Sequence, residues 1–195
     1  ANLKTIYLAE TLYAADHNGR FAPGNGEDPT RPGNGMYADN FFGKLAPYLE
    51  RSFLAGYGQV EATTSNVSPW RCPGDHRPWK LPQEVHNINW DYDSSYGLNV
   101  PGFSSDIPGL PGWPFQGVQF GSIKNPGSIV FFAETGKNNP YNPDEITRST
   151  WGPYSLAWGR HGATLNVLYA DGHIEANTPA ELTPPGGNIN SIWSF

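Results

Sequence analysis

Histidine and carboxylate side chains bind metal ions and transfer protons, and one segment of this chain concentrates them. The segment 160–173, RHGATLNVLYADGH, holds His161, Asp171 and His173, which are of metal-ligand type. The intervening residues 163–170 predict a strand of roughly 25 Å at about 3.3 Å per residue, so that His161 and Asp171 lie at its opposite ends. We therefore favour a structural role for these three residues, with a metal or catalytic role as the alternative.

A second set of oxygen ligands lies in the segment 89–95, NWDYDSS. Asp91 and Asp93 stand at alternate positions and two serines follow them, a pattern that suits Ca²⁺ because this ion prefers hard oxygen ligands. The Gly and the distal Glu of an EF-hand loop are absent from the segment, and Asp and Ser are also common in turns. We favour an ordinary turn for this segment, with a calcium site at Asp91 and Asp93 as the alternative.

Two further side chains could take part in chemistry. Glu134 ends an apolar segment, so its carboxylate is expected to be partly buried and to need a partner, for which Arg160 or His161 would serve. We expect a salt bridge or hydrogen bond there and not catalysis. The single cysteine, Cys72 in WRCPGD, is interpreted as a small buried residue. The sequence contains no HExxH, CxxC or GxSxG motif and no glycine-rich phosphate loop.

Tryptophan is frequent, with 7 residues in a chain of which 14% is aromatic. Indole rings can stack on sugars, but in a loop-rich domain most of them are expected to fill the core. Trp113 lies in the Pro/Gly-rich stretch 101–117, PGFSSDIPGLPGWPFQG, and is the best candidate for an exposed glycan-binding residue. A loop of this length is uncommon in a compact domain unless it has a function.

Composition limits the class of protein. The chain has 195 residues, enough for one domain with a core, and its aromatic content excludes disorder throughout. The net charge is −6 and the 12 Lys and Arg are scattered, so we expect no nucleic-acid partner. The longest apolar run, 129–133, is far shorter than the about 20 residues of a membrane span. With 23 Gly and 19 Pro, much of the chain should form turns and long loops.

Two segments near the N-terminus predict helices that would position the candidate functional residues. Residues 1–16 have apolar residues at helical spacing, and Asn18-Gly19 supplies a C-terminal stop. The wide apolar face of this helix consists of Leu3, Ile6, Tyr7, Leu8, Leu12 and Tyr13. The segment lacks an N-cap residue, which suggests the end of a longer helix. Residues 38–50 predict a second helix, with Phe41, Phe42, Leu45 and Leu49 facing inward and Pro47 near its end.

The C-terminal half predicts strands. Residues 128–134, SIVFFAE, form an apolar β-branched and aromatic run that indicates a buried strand, and 164–170 alternates in the manner of a strand. Asp171-Gly172 predicts a two-residue hairpin turn with positive φ at both positions, within a hairpin 164–176. A helix first and an antiparallel sheet last predict an α+β fold.

The turn also predicts a register and a buried face for this hairpin. Its pairing sets Ala170 opposite His173 and Leu168 opposite Glu175. The face formed by Leu165, Val167 and Tyr169 is then expected to pack against the N-terminal helix, while residues 164, 166 and 168 point the other way.

Five stretches resemble, in the same order, those of a known bacterial family. They are NLKTIYLAETLYAADHNGRFAP (2–23), WRCPGD (70–75), SYGLN (95–99), SIVFFAE (128–134) and RHGATLNVLYADGHIE (160–175). The last contains a histidine followed nine residues later by Asp-Gly, the H-X9-DG motif. The chain thus resembles the pseudopilin-like proteins with a prepilin-type N-terminal cleavage and methylation sequence, which are assigned to type II secretion or type IV pilus-like systems.

This resemblance implies a pilin-like fold, a long N-terminal helix packed on an antiparallel sheet. Residues 1–19 would be the C-terminal part of that helix and 20–195 a single globular head. It also implies an upstream apolar half-helix able to span the inner membrane, and, in some members, an upstream cysteine that could pair with Cys72. The family supplies no catalytic residues, so its motif residues, His161, Asp171 and Gly172, are expected to be structural, as are His173 and Glu134.

The sequence and the resemblance together lead to a non-enzymatic expectation. The chain is expected to be the extracytoplasmic head of a pilin-like or pseudopilin-like subunit, at the periplasm or cell surface, that assembles with other such subunits through the N-terminal helix. In the intact protein only the upstream segment would enter the membrane. Apart from calcium, no cofactor is expected. The alternative is a periplasmic or surface protein that binds polysaccharide through loop aromatics such as Trp113.

Overall fold

The computed structural model describes residues 1–22, 44–49, 55–56, 59–60, 69–75, 95–99, 118–135, 149–150, 156–157 and 159–182. Its helices are α1 (Asn2–Asp16) and the single-turn α2 (Pro179–Leu182). The strands are β1 (Ala55–Gly56), β2 (Gln59–Val60), β3 (Tyr96–Asn99), β4 (Val130–Glu134), β5 (Ser149–Thr150), β6 (Leu165–Tyr169) and β7 (Ile174–Asn177). The predicted order, helix before sheet, is confirmed and the fold is α+β.

The larger sheet in the described part of the chain has five strands in the order β5-β3-β4-β6-β7. The pairs β3–β4, β4–β6 and β6–β7 are antiparallel, in agreement with the predicted antiparallel sheet, although β3 itself was not predicted as a strand. The short edge strand β5 instead runs parallel to β3, with Leu98 opposite Ser149. Strands β1 and β2 form a separate antiparallel pair.

Helix α1 forms where the apolar spacing predicts it. Its inner face buries Leu3, Ile6 and Tyr13, and Tyr7 packs against the same cluster. After the helix, Asn18 and Gly19 both have positive φ, and the Gly19 amide donates to the Ala14 carbonyl at 2.8 Å. The predicted C-terminal stop is therefore confirmed.

The predicted apolar face of α1 is wider than the face that is buried. Leu8 and Leu12 are 58% and 46% exposed. The sheet contacts the helix on one side only, and residues 8 and 12 are on the opposite side. The helix thus carries an apolar edge that no described residue covers.

Both faces of the larger sheet are buried, which is why β4 reads as a continuous apolar run. On the α1 side, Phe131, Phe132, Leu168 and Ala170 join the helix residues and Trp70 in one cluster. Phe131 and Phe132 belong to the same cluster because the β4–β6 register shifts between residues 130 and 132.

The predicted orientation of β6 is wrong. Leu165, Val167 and Tyr169 do share one face, but that face packs away from α1, in a second cluster that includes Leu156 and Leu182. The α1 side receives Leu168 and Ala170 instead. Alternation fixes which residues share a face, but when both faces are buried it does not fix which face meets the helix.

The predicted hairpin register is also wrong, by one residue. Leu168 pairs with Ile174 and Val167 with Glu175. The Gly172 amide donates to the Tyr169 carbonyl at 2.9 Å and the Tyr169 amide to the His173 carbonyl at 3.0 Å. Gly172 has φ +89°, whereas Asp171 is not among the residues with positive φ. The connection is thus a three-residue loop with a glycine bulge, which displaces the pairing relative to a two-residue turn.

The predicted second helix falls only partly on described residues. Residues 46–48 form a 3₁₀ turn with Pro47 at its start, and Leu45 and Leu49 are buried as predicted. Phe41 and Phe42 lie outside the described residues, as does the stretch 101–117 that was predicted to form a loop. In the described part of the chain, no helix has the length and apolarity that crossing a membrane requires.

Candidate functional site

Three side chains from distant parts of the chain meet at one end of the larger sheet. The Nε2 atom of His161 lies 2.8 Å from Glu134 Oε1 and 3.3 Å from Cys72 Sγ. One nitrogen, oxygen or sulfur atom from each of the three lies within 4.8 Å of the others. Glu134 is fully buried and Cys72 is 2% exposed, while the His161 side chain is 34% exposed. We call these three residues the thiol–carboxylate–imidazole cluster.

The 69–75 turn carries Cys72 to this place. Trp70 is fully buried in the α1-side core, and its carbonyl accepts the Ser95 amide at 2.8 Å, which ties the turn to the start of β3. The Asp75 amide donates to the Cys72 carbonyl at 2.8 Å and closes the turn. The Gly74 amide lies 3.4 Å from the Cys72 sulfur and donates to it.

Glu134 is held by β6 and presented to His161. The Asn166 backbone amide donates to Glu134 Oε2 at 3.0 Å, and Oε1, which faces the imidazole, also accepts the Asn166 side-chain amide at 3.4 Å. The segment before β6 turns tightly, since Gly159 and Gly162 both have positive φ. This turn places His161 over Gly74, where an added Cβ would lie 3.0 Å from the imidazole Cε1.

Arg160, the other candidate partner for Glu134, pairs elsewhere. Its guanidinium lies 3.1 Å from Asp75 Oδ2, and both side chains are nearly buried, at 7% and 6% exposed. It also donates to the carbonyls of Ser95 and Thr135, at 3.0 and 2.6 Å. A buried charge pair with additional hydrogen bonds of this kind fixes the 69–75 turn against the sheet.

The environment of the cluster disfavours negative charge on the thiol. Burial raises the pKa of Cys72, and the hydrogen bond and charge of Glu134 raise it further. Burial likewise raises the pKa of Tyr96, whose hydroxyl hydrogen-bonds the Cys72 sulfur, and the neighbouring Cys72 and Glu134 contribute. These effects favour the neutral thiol of Cys72 over the thiolate.

The geometry does not match a nucleophile–base–carboxylate relay. In such a relay the imidazole contacts the nucleophile through one ring nitrogen and the carboxylate through the other. Here Cys72 and Glu134 both contact Nε2 of His161. What the arrangement offers is three converging donor atoms, one each of sulfur, oxygen and nitrogen.

Comparison of this chain with protein-family models, with curated proteins and with solved structures finds no match. The site is therefore interpreted from its geometry.

The structure separates the three residues of the 160–173 segment. Asp171 and His173 lie together at the exposed hairpin, with His173 Nδ1 2.6 Å from Asp171 Oδ1. The Asp171 carboxylate also accepts the His173 amide at 3.0 Å, and hydrogen bonding to His173 lowers the pKa of Asp171 despite some desolvation. His161 lies at the other end of β6, in contact with Glu134. The expected hydrogen bond between His161 and Glu134 is present.

Gly172 sits where the hairpin meets α1. An added Cβ would lie 2.2 Å from Cε1 of the Tyr7 ring, and Lys4 Nζ donates to the Gly172 carbonyl at 3.4 Å. The glycine is thus required by both its left-handed φ and the close approach of the helix. The sequence pattern contained the first reason and not the second.

Sequence reasoning missed the participation of Cys72. The predicted burial is confirmed, but its two partners are 62 and 89 positions away in the chain. The predicted calcium ligands Asp91 and Asp93 and the predicted glycan-binding residue Trp113 lie outside the described residues.

A buried carboxylate on α1 was also missed. Glu10 is fully buried; its Oε2 accepts the Ala22 amide at 2.9 Å, and its Oε1 has no hydrogen-bond partner within the described residues. Burial raises the pKa of Glu10 to about 8, although the bond from Ala22 acts in the opposite direction.

Proposed function

We propose that this chain is the head of a pilin-like or pseudopilin-like subunit, and that its work is assembly. The carrying observation is the exposed apolar edge of α1, defined by Leu8 and Leu12. One side of the helix is packed into the core and the other presents leucines one helical turn apart. A helix placed between a head domain and neighbouring copies needs such a two-sided character.

The order of elements supports the same proposal. An N-terminal helix lies against a largely antiparallel sheet, and the five ordered sequence stretches that resemble the pseudopilin-like family include residues of α1, β3, β4 and the β6–β7 hairpin. The partners would be further copies of this chain or related subunits. The head would stand outside the cytoplasm, with the inner membrane as the anchor of the intact protein before assembly.

The test is assembly by the intact gene product, including any sequence that precedes residue 1. The double variant Leu8→Lys/Leu12→Lys should abolish sedimentable filaments or complexes, because two charges would enter the proposed helix–helix contact. The melting temperature of the isolated chain should stay within about 2 °C of the parent, since both positions are exposed.

The matched control is Ile174→Lys. Ile174 is an apolar residue on β7 that is 39% exposed, so the variant makes a similar surface change away from α1. It should assemble as the parent does. Assembly by the double α1 variant at parental levels, or equal loss in the control, would contradict the proposal.

A further inference from the structure

We propose that the thiol–carboxylate–imidazole cluster is a zinc-class metal site, with Cys72 Sγ, Glu134 Oε1 and His161 Nε2 as ligands. The proposal is independent of the assembly function. It rests on three ligand atoms that converge in a mostly buried place, from three segments that are far apart in the chain.

The distances between the ligand atoms are close to those of an occupied site. Tetrahedral zinc with bonds of about 2.3 Å to sulfur and about 2.0–2.1 Å to nitrogen and oxygen sets the N···S edge at roughly 3.5 Å and the N···O edge at roughly 3.3 Å. The observed separations are 3.3 Å and 2.8 Å. Along these two edges an ion requires a widening of about half an ångström or less, which the His161 side chain, 34% exposed, can supply by rotating.

The donor set selects the class of ion. A thiolate and an imidazole favour zinc over Mg²⁺ and Ca²⁺, which take oxygen ligands. Three protein ligands leave a fourth position for water on the side of His161, whose side chain is 34% exposed. The charges also balance, since a thiolate and a carboxylate offset a divalent ion. A neutral site is far easier to bury than the two anions alone.

Neighbouring groups hold the ligands in place. The Cys72 sulfur accepts the Gly74 amide at 3.4 Å and hydrogen-bonds the Tyr96 hydroxyl, and such contacts stabilise a metal-bound thiolate. The backbone amide of Asn166 donates to Glu134 Oε2 at 3.0 Å and its side-chain amide donates to Oε1 at 3.4 Å, which fixes the carboxylate and leaves a second lone pair of Oε1 for the ion. Supporting hydrogen bonds of this kind orient metal ligands in proteins.

Binding of the ion would replace the hydrogen bonds of the cluster by metal–ligand bonds that join three segments of the chain. The thiol proton leaves to solvent, and the ion then bonds the 69–75 turn, the end of β4 and the turn before β6. Because the unfolded chain does not preform the site, the ion should stabilise the native state.

The experiment uses the chain freed of metal by chelator and transferred to metal-free buffer. Calorimetric titration with Zn²⁺ should give one ion per chain, and a hundredfold excess over Kd should raise the melting temperature by about 5–10 °C. Titration with Co²⁺ should produce the thiolate-to-cobalt charge-transfer band together with the intense visible bands of a tetrahedral site. Mg²⁺ should produce no shift.

Variants identify the ligands. Cys72→Ser should abolish the charge-transfer band, and Glu134→Gln should weaken Zn²⁺ binding by at least about 100-fold. The matched control is His173→Gln, at the other imidazole–carboxylate pair, which lacks a thiol; it should bind as the parent does. Should Cys72→Ser fail to fold, the cobalt spectrum of the parent decides alone. A parent without one-to-one binding or without the thiolate band overturns the proposal, as does unchanged affinity in Glu134→Gln.

Discussion

Glu10 makes the stability of this chain depend on pH in a direction opposite to that of most carboxylates. Its side chain is fully buried on the inner side of α1, and one oxygen has no hydrogen-bond partner among the described residues. Burial raises its pKa from 4.5 to about 8. The native state therefore binds the proton more tightly than the unfolded state between these two pH values.

The magnitude follows from linkage. A raised carboxyl pKa contributes stability that is fully present below pH 4.5 and is lost as the pH rises to about 8. Each pH unit in this window is worth about 1.4 kcal/mol, so the loss is about 3 kcal/mol at pH 7 and on the order of 5 kcal/mol above pH 8. Domains of this kind have about 5–15 kcal/mol in total, so the effect is large.

The variant Glu10→Gln removes the titration and keeps the shape of the side chain. The difference in the free energy of unfolding between variant and parent, from urea denaturation at pH 5, 6, 7 and 8, should shift in favour of the variant by several kcal/mol across the series. The buried Gln side chain of the variant can change the free energy of unfolding by a constant amount, but this amount does not depend on pH and leaves the trend intact. The control Glu175→Gln, at an exposed position on β7, should give a nearly constant difference. A constant difference for Glu10→Gln would refute the reasoning.

Three further perturbations have expected outcomes. A side chain at the left-handed φ of residue 172 costs about 1–2 kcal/mol, and Gly172→Ala should lower the free energy of unfolding by more than this because the new Cβ meets the Tyr7 ring. In a double-mutant cycle measured in urea, Tyr7→Ala should recover the part of the loss that is due to this clash. If the two substitutions have additive effects on the free energy of unfolding, the proposed contact is excluded. Arg160→Met should cost about 3–5 kcal/mol of unfolding free energy, since it removes the cation that faces the buried Asp75 carboxylate and two further hydrogen bonds, and a cost below about 1 kcal/mol would contradict this. If Asp91 and Asp93 bind calcium, chelation should lower the melting temperature and added Ca²⁺ should restore it. If the melting temperature of an Asp91→Asn/Asp93→Asn variant still rises with Ca²⁺, these two residues are not the ligands.

Local pattern predicted α1, β4 and the β6–β7 hairpin because local interactions determine these elements. The helical spacing and the Asn18-Gly19 stop define α1, and the apolar run before Glu134 defines β4. The register in which the strands pair was harder to predict from the sequence. The Asp171-Gly172 pair signals a hairpin but does not by itself decide between a loop of two and a loop of three residues, and the close approach of Gly172 to Tyr7 involves the other end of the chain.

The candidate site was predictable only in part for the same reason. A carboxylate that ends a buried strand must find a partner, so Glu134 and His161 could be paired from sequence. Cys72 is positioned at the site by the burial of Trp70 and by the Arg160–Asp75 ion pair. These are long-range contacts, which cannot be predicted from the spacing of residues in a local segment.

Cysteine cross-linking at the outer edge of α1 tests the central claim most directly. Leu8→Cys, in the intact gene product within isolated membranes or filaments, should form subunit–subunit adducts with a short bismaleimide, because this edge is proposed to face a neighbouring copy. Ile174→Cys and the parent, whose Cys72 is buried, should form few. Equal cross-linking at both positions, or none at position 8 in material that is demonstrably assembled, would contradict the account.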